Sequence, residues 1–109
     1  MIVSDENVQA ALDYLNLQPH PLAVAEWRLL AAKNKREKIF AELYVQTSGA
    51  VRARECTVEL QAAFQDAKTA EENAILELAH QKARRLWADK ITDLYQTVSA
   101  NARQAERIR

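Results

Sequence analysis

The chain reads as an all-α protein: an antiparallel hairpin of long helices preceded by a short N-terminal helix, self-associating in a coiled-coil-like manner. Three observations carry this. Gly occurs once and Pro twice in 109 residues, too few for the many turns of a sheet protein. Ala, Leu, Glu, Gln, Lys and Arg dominate, and all are good helix formers. The two places that carry Pro or Gly cut the chain into one short and two long segments. Length fits a single helical domain spanning 1–109, and 49% hydrophobic against 28% charged residues suffices for a folded core.

The first helix is expected over about 4–17. Ser4 is placed to cap it, and Asp5 and Glu6 suit its positive end. Val8, Leu12 and Leu15 recur at helical spacing, with Ala11 beside them. "NLQPHP" (16–21) stops it, because proline disfavours helix in the residues before it.

The second helix is expected over 21–47, with Pro21 at its first position. Twenty-seven residues make roughly 40 Å. Leu22, Leu29, Ile39, Phe40 and Leu43 form a stripe broken by Arg36, while Trp27, Leu30, Tyr44 and Val45 point elsewhere. Gly49 is placed to end this helix in a left-handed conformation.

The third helix is expected over 50–105, with a bend near "CTV" (56–58), where β-branched residues weaken it. From Leu60 onward nothing stops a helix for roughly 65–70 Å. Leu60, Phe64, Ala67, Ala74 and Leu78 form its first stripe; Trp87, Ile91, Leu94 and Val98 form a second, with Tyr95 at the margin. The polar tail 103–109 is expected to fray.

Charge fixes a register for the hairpin. Placing Thr47 near Leu60 brings "KNKREK" (33–38) opposite Glu71 and Glu72, and Glu26 near Lys82. This register leaves the Trp87–Val98 stripe without a partner from the second helix. The first helix can fold back over it with Val8, Leu12 and Leu15. So thin a helical layer buries little per residue, so a second chain, most simply in a dimer, is expected to cover the rest.

Chemistry is sparse. Neither His20 nor His80 has a second ligand at metal-binding spacing, and neighbouring Glu71 and Glu72 diverge by about 100° on a helix. Cys56, the only cysteine, has no placed base and orienting group, so it reads as a small packing residue. One glycine does not make a phosphate-cradling loop. No catalytic, metal or cofactor site is expected, and hence no enzyme.

Fifteen acidic and fifteen basic residues leave no net charge to attract nucleic acid or membrane. A local cationic edge made of Arg84, Arg85, Lys90 and Arg103, extended by Arg107 and Arg109, is the candidate for phosphate contacts. Asp89 and Asp93 interrupt it, and the aromatics beside it sit on the packing stripe, so nucleic acid is the less favoured partner. No run approaches the ~20 apolar residues that span a bilayer. "MIVSDENVQ" lacks the pattern of a secretion signal, and the expected location is the cytoplasm.

The charged helix ending in "LYVQTSGAVRARE", the long Ala/Glu-rich stretch after it, and the closing run "RRLWADKITDLYQTVSANAR" with its "NAR" resemble small helical proteins encoded by bacteriophages and prophages. The likeness covers the last two-thirds of the chain. It implies residence in the bacterial host cytoplasm and an accessory role in phage DNA recombination or replication, beside a protein partner. Direct binding of single-stranded nucleic acid and a role in virion assembly or as an adaptor are the alternatives it implies. No catalytic residue transfers with it.

Overall fold

The computed structural model describes residues 3–108 and is helical nearly throughout, with no strand among them. Four helices follow in order: α1 (Asp5–Leu15), α2 (Pro21–Gln46), α3 (Val51–Glu59) and α4 (Ala62–Ile108). They form two compact units. Unit 1 is Met1–Ala23 with His80–Arg109, and unit 2 is Val24–Ala79.

Local chemistry sets the helix starts. The Ser4 side chain accepts the Asn7 N–H at 3.1 Å, capping α1 as the sequence suggests. Pro21 opens α2, where its missing N–H costs nothing. Just before it, His20 Nδ1 accepts the Leu22 N–H at 3.1 Å, so an imidazole does the work of a cap.

Unit 2 contains the hairpin. Arg36 of α2 forms an ion pair with Glu71 of α4. Nearer the turn, Phe40 meets Phe64 edge-on, with ring centroids 5.8 Å apart. Residue numbers rise on one helix as they fall on the other, which makes the two segments antiparallel. The Arg36–Glu71 pair lies in the same register as Thr47 with Leu60. Ala25, Val58, Phe64 and Ala67 are buried. Leu29, Ile39, Phe40 and Leu43 are half-buried, as are Ala74 and Leu78.

The turn departs from expectation in three places. α2 stops at Gln46, three residues before Gly49. Its last carbonyls are satisfied without the glycine: Thr47 Oγ1 donates to the Leu43 carbonyl at 2.8 Å and Arg54 Nη2 to that of Tyr44 at 2.6 Å. The Arg54 guanidinium also lies 3.9 Å over the Tyr44 ring. Gly49, at φ +121°, serves the loop itself, in backbone that side-chain-bearing residues rarely adopt.

The break falls at Leu60–Gln61, not at 56–58. Val58 and Phe64 are both buried, yet six residues of unbroken helix would turn them roughly 120° apart. Interrupting the helix between them re-phases α4 so that both can turn inward. Gln65 Nε2 then donates to the Glu59 carbonyl that the break leaves free. Leu60 sits at the interruption and is exposed, not part of a stripe. Cys56 is exposed as well, because two residues of helix turn it roughly 160° from buried Val58.

Unit 1 is α1 packed on the later part of α4. Val8, Ala11 and Tyr14 form one core cluster with Ala88 and Ile91, and Val3 and Leu15 pack against it. α4 is helical as far as Ile108, and "NARQAER" contains no Pro or Gly to stop it.

Candidate interaction face

The site that matters is the side of α4 that α1 leaves open. Tyr14, Ala11 and Val8 recur every three residues along α1 and reach Ala88 and Ile91, both fully buried. Tyr14 anchors this packing. Its hydroxyl proton is within reach of two acceptors, the Gln81 carbonyl oxygen at 3.0 Å and Gln81 Oε1 at 2.9 Å. Arg84 lies over its ring at 4.6 Å, and His20 meets the ring edge-on at 5.0 Å. Of the expected stripe, Val8 is buried and Leu15 packs against the cluster, while Ala11 and Tyr14 fill its remaining places on α1. Leu12 is exposed and Tyr14 takes the buried place. The three-residue spacing of Val8, Ala11 and Tyr14 was the available signal.

Of the second stripe on α4, only Ile91 is core. Trp87 remains 37% exposed, Leu94 39%, Tyr95 45% and Val98 58%. Helical geometry explains the division. Ala88 faces α1, and Trp87 is turned about 100° away from it, with Leu94 and Val98 on the same side as Trp87. A helix as short as α1 covers one strip of this surface and no more. The outcome is an apolar ridge alongside a sealed core.

The cationic edge does not assemble. The Arg84 guanidinium is occupied by the Tyr14 ring, and Arg85 Nε lies 3.5 Å from the Asp89 carboxylate. Lys90 is six residues beyond Arg84 and thus roughly 120° around the helix, so the two cannot share a face. Arg103 and Arg107 lie exposed in open surface with Ala100 and Gln104, and Arg103 Nε reaches only the Ser99 carbonyl at 3.4 Å. Arg109 is outside the described residues.

Unit 2 has a pocket of about 390 Å³ lined by Arg36, Glu59, Phe64, Lys68, Glu71 and Glu72. Its arginine is held by Glu71 and its charges are mixed, so it selects no ligand sign. Among the described residues no three His, Cys, Asp or Glu side chains are grouped to hold a metal ion, and no helix is long and apolar enough to cross a membrane. No protein-family model matches the chain, and no curated protein or solved structure matches it significantly.

Proposed function

We propose that this chain is a non-enzymatic helical interaction protein that self-associates through the Trp87–Leu94–Val98 ridge of α4, with Tyr95 at its margin. One observation carries the reading: four large apolar side chains stay exposed on a helix whose adjacent side is already sealed by α1. Contiguous exposed apolar surface of this kind marks interaction sites, and tryptophan and tyrosine are the usual anchors. The resemblance to phage-encoded helical proteins supports, as the setting, an accessory role in phage DNA recombination or replication in the host cytoplasm, beside a protein partner. An adaptor role in virion assembly would use the same ridge. Direct nucleic-acid contact is not favoured, since Arg84 and Arg85 are engaged within the chain.

The test is light scattering at micromolar concentration on the wild type and on Trp87→Ala. The wild type should have a mass above the 12.4 kDa of one chain. Trp87→Ala should lower that mass while keeping its far-ultraviolet helical signal. A wild type that stays monomeric overturns self-association.

A further inference from the structure

The open side of α4 has two deficits, and they lie in one helix. Trp87 and Leu94 are only partly covered. Beyond them, every side chain from Gln96 to Arg107 is exposed except half-buried Ser99. About three turns of helix thus stand without a surface to pack on, and isolated helices of that length are marginal in water. The sequence joins the two regions. Trp87, Ile91, Leu94, Val98, Asn101 and Ala105 follow one another at alternating steps of four and three, the spacing of a coiled-coil seam.

We infer that the occupant of this seam is a second copy of the chain, antiparallel to the first, with the two-fold axis beside Gln96. This rests on the self-association reading and specifies its geometry. Each copy's arm beyond Gln96 then lies on the other's Trp87 and Leu94, so one operation removes both deficits. Trp87 falls opposite the second copy's Ala105, a large side chain against a small one, and Leu94 falls opposite Val98. Ile91 falls opposite Asn101, but it is already buried under α1 and asks little of that contact. Parallel pairing would instead set Trp87 on Trp87 and Ala105 on Ala105, crowding one end and leaving a gap at the other.

The exposed apolar surface runs along this seam: Trp87 is 37% exposed, Leu94 39% and Val98 58%, the contiguous kind that marks an interface.

Disulfide trapping tests this, with exposed Cys56 first replaced (Cys56→Ser) to remove the native thiol. Thr97 flanks the seam beside the proposed axis, so Thr97→Cys should cross-link to its counterpart and yield a covalent dimer on mild oxidation. Ala105→Cys, far from the axis, should not. Both positions are exposed, so neither variant threatens the fold. A wild-type dimer in which Ala105→Cys cross-links and Thr97→Cys does not is parallel; it overturns this inference and leaves self-association standing. A dimer trapped by neither overturns the seam. A monomer under light scattering overturns both readings.

Discussion

The two units hold their helices by different means. In unit 1, an eleven-residue helix is fixed by a few complete burials: Val8, Ala11 and Tyr14 against Ala88 and Ile91, with the Tyr14 hydroxyl bound at Gln81. In unit 2, α2 contributes one buried residue, Ala25, and otherwise half-buried or exposed side chains, an aromatic contact and an ion pair. Length explains the difference. A helix of three turns cannot persist on its own propensity and needs tertiary contact over most of one face. A helix of seven turns, rich in Ala, Leu, Lys and Glu, gains more from local propensity and can afford sparse contacts. Stability should therefore be concentrated in unit 1 and distributed in unit 2.

The largest effect should come from Tyr14→Ala. It removes the biggest fully buried side chain together with its hydrogen bond, and truncations of this kind cost about 3–5 kcal/mol. Urea unfolding followed by circular dichroism would measure the loss, and hydrogen exchange would locate it. Amides of residues 5–15 should lose protection first, with those of 24–46 changing less. An equal loss across both stretches would break the contrast.

Phe64→Ala sharpens the contrast from the other side. Phe64 is buried, but its ring neighbour Phe40 is only half-buried and free to shift toward the vacated space. The expected cost is about 2–3 kcal/mol, at the low end for an aromatic truncation because the site can collapse. A cost above that of Tyr14→Ala, measured in the same way, would show that the hairpin relies on one residue after all.

Which of these features were legible in the sequence follows from their range. Ser4, Pro21 and the facing charge runs were readable because each acts locally or through simple counting along a helix. Cys56 and the break at Leu60–Gln61 were not. Their positions depend on which side chains meet across helices: Val58 and Phe64 both need burial, and that need outweighs the β-branched weakness at "CTV". The stripe on α4 was legible as apolar, but its division into buried Ile91 and exposed Trp87, Leu94 and Val98 depends on the width of α1.

A smaller effect separates shape from polarity in unit 1. Tyr14→Phe keeps the ring that fills the cluster and supports Arg84, and deletes only the hydroxyl. Its cost should be about 1–2 kcal/mol by urea unfolding, the range for losing one buried hydrogen bond. A cost near that of Tyr14→Ala would mean that the hydroxyl at Gln81, more than the ring, holds α1 in place.

The smallest effect should come from Glu71→Gln. Arg36 and Glu71 keep 29% and 20% of their side-chain surface in contact with solvent, so water screens the pair and each charge retains part of its hydration. The expected loss is under about 1 kcal/mol, shrinking further in added salt, because partly solvated ion pairs contribute little net stability. The pair matters more for alignment. The mixed charges around it, with Lys33, Lys35 and Lys38 on one helix and Glu72 beside Glu71 on the other, favour the observed register over a shift by one turn. Glu71→Lys should accordingly cost more than Glu71→Gln, since it adds repulsion to the loss of attraction. Equal costs for the two, in urea unfolding at low salt, would show that the register is held by Phe40 on Phe64 and owes nothing to charge.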